Sequence, residues 1–545
     1  MSPSSDTAHR VDTAGSALGY TELHPAQRDS VAALAGGRDV LALLASGYGK
    51  SAIYQIAASI LDGPTVVVTP LIALQRDQVE SQRRRTGEMR AVAVHSEQTT
   101  SQSDDAWRSL ETGDATMLYL TPESASRPDT WRRLREMSVA CVAVDEAHCI
   151  AAWGHDFRPA YLRLGDFVDA IGRPPVVATT ATAPPPVRDE IVERLHLVDP
   201  FVAVGSFDRP NIHLTVVRHH HASDLTDAVV DDVVDRVDAL RSGAVGLVYV
   251  ATRAQTHDYA DLVGQRGVDA IAYHAGLSRH DREDAHRAFR DGTVDVVVAT
   301  SAFGMGIDKP DVRFVVHTSP PESLERYYQE FGRVGRDGDD AAAVLHFRPE
   351  DLGLSTFFAT RNPQREALAG VYRAISSTTA PIPTDSLAAL PSVSGRAAES
   401  AVELLDRAGA VRWQDGGWTD CGMETADAVE RACEAAHRAE TAARSRVEMV
   451  RKYAETTRCR RRVLLEYLGE VPSGPCGRCD TCESGASTEP DDGDGRFRPG
   501  DVLHHREWGT GDVVSAESDR VTVHFPDQGY RTLSTAVLLD ENVAE

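Results

Sequence analysis

Apolar residues along this chain keep two different rhythms. From about residue 20 to 350, short runs such as "VLALLA" (40–45), "TVVVTP" (65–70), "MLYLTP" (117–122), "VACVAVDE" (139–146), "VVATTAT" (176–182), "GLVYVATR" (246–253), "DVVVAT" (295–300) and "VRFVVHT" (312–318) alternate with polar stretches of helical character. A run that is apolar at every position has no face to offer water. It therefore predicts a strand buried on both sides in a parallel sheet, and the alternation predicts an α/β architecture. Two groups of such strands flank "FDRPNIH" (207–213), which places a boundary between two lobes, residues 19–205 and 206–350.

After residue 350 the texture changes. Residues 384–420 predict a short helix, an amphipathic helix with Ala398, Ala401, Val402, Leu405 and Ala408 on one face, and a hairpin at "VRWQDGGWT" (411–419). That order suggests a winged-helix-like unit over 351–424, the alternative being a three-element connector without nucleic-acid contact. Residues 425–484 carry no Gly or Pro until "LGEVPSGP" (468–475), which predicts a long helix or helix pair. Residues 485–496 are Gly/Ser/Asp-rich, a linker, and "DVVSAESDRVTVHFPDQGYRTL" (512–533) alternates as the strands of a small β-barrel over 497–545. Residues 1–18 show neither rhythm and are expected to be disordered.

Composition narrows the picture. A chain of 545 residues has room for several cores. It contains no run long and apolar enough to span a bilayer and no export-signal pattern, so a cytoplasmic protein without membrane contact is expected. The formal charge of −25 argues against a uniformly basic nucleic-acid binder and leaves room for a local basic groove. Only Lys50, Lys309 and Lys452 are lysines among 57 basic residues, so a lysine that persists marks a place where arginine is chemically inadequate.

Lys50 lies in "ASGYGKS" (45–51), between a buried strand and a helical segment. Ser46, Gly47, Tyr48 and Gly49 form a small-residue turn whose backbone N–H groups can face an anion, Lys50 reaches the β/γ-phosphates, and Ser51 offers a hydroxyl to Mg²⁺. Leu44 stands where the usual pattern has its first glycine. Asp145 and Glu146 end another buried strand, where one carboxylate can hold Mg²⁺ and the other orient or deprotonate the attacking water. "YYQEFGRVGRDG" (327–338) supplies Gln329, Arg333 and Arg336, spaced so that the arginines can enter the cleft from the second lobe and stabilise charge on the γ-phosphate.

Taken in order, "GYTELHPAQ", "ASGYGKSAIYQIAA", "VVVTPLIALQRDQV", "AVDEAHCIAAWGHDFRPAY", "TAT", "FDRPNI", "YHAGL", "VVVATSAFGMGIDKPDVRFVVH" and "YYQEFGRVGRDG" resemble the superfamily-two DNA helicases of the RecQ type, nearly continuously over residues 19–350 and again over 450–482. The resemblance implies two RecA-like lobes and an ATP-dependent, 3′-to-5′ DNA helicase acting in replication, recombination or repair. A translocase or annealing factor, or an RNA helicase, is the alternative. It adds His148, the last residue of DEAH, to the catalytic set. Gln27 would read adenine with Tyr20 beside the base, and His24 stands where the family commonly has Arg. Thr180 and Thr182 would link the ATP site to DNA. Trp153, His155, Phe157 and Arg158 match the family's aromatic-rich loop, which senses single-stranded DNA. Bases stacking on such rings contribute about 1–3 kcal/mol each, which fits that role. Phe331 and Val334 replace smaller residues of the last motif.

Cys459, Cys476, Cys479 and Cys482 have the spacing of a four-thiolate Zn²⁺ site, with an iron–sulfur cluster as the alternative, and they match the family's zinc-binding subdomain. Beside them Arg444, Arg446, Arg451, Lys452, Arg458, Arg460, Arg461 and Arg462 make a basic patch for which duplex phosphates are the expected partner. The family normally places its winged helix after the zinc cysteines; here the candidate precedes them. The last 49 or so residues resemble the Tudor-like barrel of PcrA/UvrD-type helicases. A barrel tethered by a linker suits recruitment of a protein partner, RNA polymerase or a repair factor, with Trp508 either its exposed anchor or a core residue.

Overall fold

The continuous apolar runs form two parallel sheets. In the first, β1 (Val40–Leu43), β2 (Thr65–Val68), β3 (Ala91–Val94), β4 (Met117–Leu120), β5 (Cys141–Val144), β6 (Val176–Thr180) and β7 (Phe201–Val204) take the order β3-β4-β2-β5-β6-β1-β7. In the second, β8 (Ile212–Arg218), β9 (Val245–Tyr249), β10 (Ala270–Tyr273), β11 (Val296–Ala299), β12 (Val312–His317) and β13 (Ala341–Phe347) take the order β10-β11-β9-β12-β13-β8. The computed structural model describes the chain apart from residues 1–4, 21, 46, 87–90, 152–158, 241–244, 305–308, 360–363, 391–392, 415, 488–495 and 541–545.

The first sheet's order has a direct consequence for chemistry. β5, β6 and β1 are neighbours, so the segments leaving their C-terminal ends, which begin at Asp145, Ala181 and Leu44, emerge side by side. In an open parallel sheet that rim is where ligands bind.

Residues 1–18, expected to be disordered, instead carry a helix, Ser5–Ala17, packed on the helices Pro25–Ala35 and Ser51–Ile60. Val11 is fully buried there, and Asp12 receives Arg28 Nε at 2.8 Å. Val11, Ala14 and Leu18 recur at helical spacing, enough to bury one stripe against a neighbour even in a polar segment.

The helix Leu352–Ala359 packs against the long helix Thr425–Glu455, and a separate unit is inserted between them. The unit comprises helices Arg365–Ser376, Thr384–Ala388 and Gly395–Arg407 followed by the antiparallel pair β14 (Val411–Gln414) and β15 (Gly417–Asp420). Ile382 and Trp418 exchange both backbone hydrogen bonds, 3.0 and 2.8 Å, adding a third arm to the hairpin. These elements surround a cluster of Leu368, Val371, Tyr372, Val402, Leu405 and Trp418 that also takes in Ala428, Val429 and Ala432 of the long helix.

A capping helix, Arg460–Tyr467, follows the long helix. The chain ends in an antiparallel sheet of β16 (Val502–His505), β17 (Gly509–Ala516), β18 (Arg520–Phe525) and β19 (Gly529–Ser534). The expectation of a loosely tethered barrel is not met, because β19 lies along the long helix and β17 against the capping helix. Trp508 is half-buried, stacked on His505 at 4.1 Å and edge-on to Phe525 at 5.5 Å, so it packs into the barrel instead of standing free as an anchor.

Candidate nucleotide site between the lobes

Three stretches of the first lobe and one helix of the second converge at the strand rim. The phosphate-loop turn uses Gly47 at φ +86° and Gly49 at φ +69°, backbone conformations that disfavour a side chain. Lys50 opens the helix Ser51–Ile60, and its ammonium donates to the Leu44 carbonyl at 3.4 Å. Burial lowers its pKa, Glu146 and Asp145 oppose that shift, and Arg336 and Arg333 add to it. A buried cation facing two carboxylates and two arginines marks a place built for a multiply charged anion. Ser46 lies outside the described residues.

Asp145 follows β5, and its Oδ1 accepts from Thr179 Oγ1 at 2.8 Å and from Glu146 N at 3.1 Å. Burial and the adjoining Glu146 carboxylate hold its carboxyl above the usual range. Glu146 has φ +50°, a left-handed conformation costly for any residue with a Cβ, which turns its side chain away from the strand direction. Its Oε2 lies 3.3 Å from His148 Nδ1, which is also 2.8 Å from Thr180 Oγ1. Thr182 N donates to that same hydroxyl at 3.2 Å. The DEAH and TAT segments are thus one hydrogen-bonded group.

The second lobe reaches this group through the finger helix, Leu324–Phe331, and the loop after it. Gln329 Nε2 meets His148 Nε2 at 3.1 Å, a contact across the lobes. Arg336 lies on the phosphate loop, its Cγ 3.6 Å from where a Cβ on Gly47 would stand. Arg333 is buried and donates to the Gly304 carbonyl, so of the two arginines Arg336 is the one that touches the phosphate loop. Phe331 and Val334 fill space between rings and sheet: Phe331 lies 5.0 Å from the Tyr327 ring and 5.3 Å from the Tyr328 ring, and Val334 is fully buried.

Two residues that sequence reasoning left without a role hold the finger loop in place. Arg209 donates to the carbonyls of Gly332, Val334 and Gly335 at 3.0, 2.7 and 3.0 Å, and Asn211 Nδ2 donates to Gly335 and Asp339 at 2.7 and 2.9 Å. The signal was present in "FDRPN", two polar side chains with long reach at the lobe junction.

Ahead of the phosphate loop, Gln27 spends both edges of its amide on backbone. Oε1 accepts from His24 N at 2.9 Å, and Nε2 donates to Tyr48 and Gly49 carbonyls at 2.8 and 2.9 Å. It staples the phosphate loop to this segment. His24 and Tyr48 lie ring to ring at 4.5 Å, and the Tyr20 hydroxyl donates to Gln55 at 2.6 Å. Trp153, His155, Phe157 and Arg158 lie outside the described residues. On either side of that loop Ile150 is fully buried and the Tyr161 hydroxyl donates to the Asp145 carbonyl at 3.0 Å.

Cys459, Cys476, Cys479 and Cys482 bring their sulfurs within 4.8 Å of one another, and Cys476 and Cys482 Sγ are 4.0 Å apart. Four thiolates around Zn²⁺ at about 2.3 Å stand about 3.8 Å apart, so the cluster fits such a site. Backbone amides of Cys476 and Arg478 also donate to sulfurs, at 3.2 and 3.3 Å, as thiolates require.

The structure pairs most of the adjacent basic patch within the protein. Arg460 forms two bonds to Asp480 at 2.7 and 3.0 Å, Arg458 and Arg462 bind Glu466 at 2.8 Å, and Arg461 donates to the Ile212 carbonyl at 2.5 Å. Arg444 pairs with Glu440 and Arg451 with Glu455. Arg460, Arg461 and Arg462 are buried: Arg460 and Arg462 hold the zinc-binding segment together from within, and Arg461 fastens it to the second lobe. Arg188 to the Leu468 carbonyl, 2.7 Å, and Glu470 to Phe207 N, 2.6 Å, tie the same segment to the first lobe and the junction.

Models of four families match the chain: DEAD/DEAH box helicase over residues 24–191, helicase conserved C-terminal domain over 228–338, RecQ zinc-binding over 423–483, and a protein of unknown function, DUF3553, over 497–540. The chain is 34% identical over 472 residues to the ATP-dependent DNA helicase RecQ of Pasteurella multocida, covering 87% of this chain and 62% of that one. To the ATP-dependent DNA helicase RecQ of Synechocystis it is 32% identical, covering 85% and 96%. The chain thus spans 62% of the length of the Pasteurella relative and nearly all of the Synechocystis one. Among solved structures it resembles the DUF1998 helicase MrfA bound to DNA, with TM-score 0.54 and 15% identity over 78% of this chain and 60% of that chain, a likeness of fold alone. None of the described helices is long and apolar enough to cross a membrane.

Proposed function

The chain belongs to the RecQ family of ATP-dependent DNA helicases, and from that premise we propose that it hydrolyses ATP between its two lobes to move 3′ to 5′ along single-stranded DNA and separate duplex strands, in replication, recombination or repair. The observation that carries the reading is the seating of Arg336 on Gly47 together with Gln329 on His148. Residues of the second lobe already stand at the first lobe's phosphate loop and DEAH group.

In this reading Lys50 and the loop amides hold the β/γ-phosphates, Glu146 positions and deprotonates the attacking water, and Arg336 stabilises charge on the transferred phosphoryl group. Ser51 and Asp145 would hold Mg²⁺, which neutralises phosphate charge when bound. Arg333 shapes the finger loop from Gly304, and Tyr20, His24 and Tyr48 border the base. Bases stacking on Trp153 and Phe157, with a phosphate on Arg158, would pull on a loop flanked by buried Ile150 and by Tyr161 on Asp145, while Thr180 and Thr182 pass the change through His148. The cysteines would hold one Zn²⁺ as a structural ion. On the barrel, the β16 edge with Val502 56% exposed is the face left for a protein partner once β19 lies on the long helix.

The test is strand displacement on a 3′-tailed duplex with matched RNA and DNA cofactors in the ATPase assay. Lys50→Ala and Glu146→Gln should lose about 100-fold or more of turnover while still binding DNA. ATP turnover without strand separation would point to a translocase, and stronger stimulation by RNA to an RNA helicase.

A further inference from the structure

The finger helix is held at its first turn by residues from outside both lobes. Glu325 is 6% exposed, and its Oε1 accepts from the Tyr467 hydroxyl of the capping helix at 2.8 Å. Its Oε2 has no hydrogen-bond partner among the described residues, so the tyrosine supplies the bond that offsets burial of this carboxylate. Tyr327, two residues on, lies 5.4 Å from the Tyr453 ring of the long helix.

Tyr467 is covered in turn by the C-terminal barrel. The Tyr530 ring of β19 lies 5.1 Å from it, and His524 stands edge-on to Tyr530 at 4.8 Å. The barrel is seated here by close fit. Tyr530 N donates to Ser445 Oγ at 3.0 Å, and a Cβ on Gly529 would fall 2.2 Å from that oxygen and 3.0 Å from Ala442 Cα. Gly529 also has φ +65°, so the turn and the close approach both require glycine. Val514 is buried in the same apolar cluster as Leu464, Leu465 and Tyr467, which runs on into both lobes.

We propose that the barrel is a positioning element of the motor: Tyr530, seated on Tyr467, fixes the Tyr467–Glu325 bond and through it the placement of Gln329 and Arg336 at the nucleotide site. Gln329 is one helical turn beyond Glu325, and the arginines follow, so a small rotation at the first turn is carried directly to them. Reacting groups displaced by about 1 Å lose rate by about 100-fold, so a loosened helix start has a large lever. The inference rests on the ATPase reading above.

The experiment uses full-length variants at saturating single-stranded DNA, measuring kcat and KM for ATP. Gly529→Val drives a side chain into the long helix and unseats the barrel; Tyr467→Phe keeps the ring and removes the hydroxyl. Each should lower kcat about tenfold with KM for ATP changed less than about twofold, because the first lobe alone holds the nucleotide. The double variant should be no worse than the more impaired single, since both act through one bond. Hydrogen exchange along residues 442–452 reports whether the barrel has left its seat. Unchanged kcat in Tyr467→Phe, or unchanged kcat in Gly529→Val with exchange raised, overturns the proposal. A parallel loss of kcat, nucleotide affinity and melting temperature shows a structural role only and also overturns it. An unmodified protein without ATP turnover would instead defeat the reading on which it rests.

Discussion

The barrel and the winged-helix-like unit are both additions to the two parallel-sheet lobes, and both pack on the long helix, yet they are attached differently. The barrel keeps an apolar cluster of its own, Leu503, Val513, Val521, Val523, Phe525 and Leu538, but its Val514 and Tyr530 join the main apolar core, and its Gly529 lies flush on the long helix. The inserted unit has a cluster that takes in Ala428, Val429 and Ala432 of the long helix but no residue of either lobe, and it meets the first lobe at Arg163 and where Pro128 approaches Gly416. That guanidinium stands 3.8 Å from the Trp413 ring centroid and 5.0 Å from that of Trp418, and donates to Thr384 at 3.4 Å. Burial lowers the Arg163 pKa to about 10, and Asp406, Glu123 and Asp166 oppose that shift. Joining the main core makes a part of the machine; a desolvated cation beside two indoles makes a latch. A sequence rich in linker residues therefore says little about how tightly the segment beyond it is held.

The strongest way to break this comparison is at the cysteines. A structural zinc site supplies about 10–16 kcal/mol in small zinc-dependent units. Cys479→Ser should therefore abolish the bound metal and unseat the barrel, while strands β14 and β15 keep their exchange protection. Metal analysis with hydrogen exchange checks it, and equal loosening of both units would erase the distinction.

Next come matched cavities. Phe525→Ala in the barrel and Leu405→Ala in the inserted unit each remove a fully buried side chain, at a cost of about 2–5 kcal/mol. Calorimetry should show the first as a downward shift of the main transition and the second as a separate, earlier one. A separate barrel transition would show that Val514 and Tyr530 do not couple the barrel's own cluster to the main core.

A smaller effect isolates the latch. Arg163→Ala should weaken docking of the inserted unit by about 2 kcal/mol and leave ATP turnover within about twofold, read as raised exchange at β14 and β15.

The mildest test is pH, where the two attachments should respond with opposite sign. Burial first, then Arg446, pushes His524 down to about 4, with Glu325 opposing. A released chain takes up that proton sooner than the seated one, so the seat is intact above the ordinary histidine pKa and weakens as pH falls from there toward 4. Asp406, facing Arg194, Arg163, Asp166 and Arg407, is pushed up to about 6 by burial. Its docked form keeps a proton that the undocked form has lost, so docking is firmest in acid and weakens as pH rises from about 4 through about 6. Between pH 7 and 5 the inserted unit should tighten while the barrel loosens. His524→Gln and Asp406→Asn should each remove one arm, and a same-direction response would refute the assignment.

Much of the motor was legible because its signals are local. A strand buried on both faces must be apolar throughout, and a phosphate loop needs its glycines and lysine contiguous, so β1, β2, β4, β5, β6, β9, β11 and β12 and Lys50, Asp145 and Glu146 could be read directly, whereas β3, β7, β8 and β10, partly exposed, and β13 gave no such run. What escaped depends on distant partners. Whether Arg460, Arg461 and Arg462 face water turns on Asp480, Glu466 and the Ile212 carbonyl, which only the folded chain brings to them. The barrel's seat turns on one glycine fitting one turn of helix. The helix Ser5–Ala17 hid because three apolar positions in a polar segment count only when something is there to cover them.

The place of the inserted unit also sets an order of events in folding. The helix Leu352–Ala359 and the long helix that it packs against are separated by about 65 residues, a span whose closure as open chain would cost entropy growing with the logarithm of its length. A unit whose cluster takes in the start of the long helix, Ala428, Val429 and Ala432, offsets that cost if it folds first, since its compact form brings both ends together and turns a remote pairing into a near neighbour. The zinc-binding segment and the barrel build on the same long helix, so the insertion also sets the platform to which they attach.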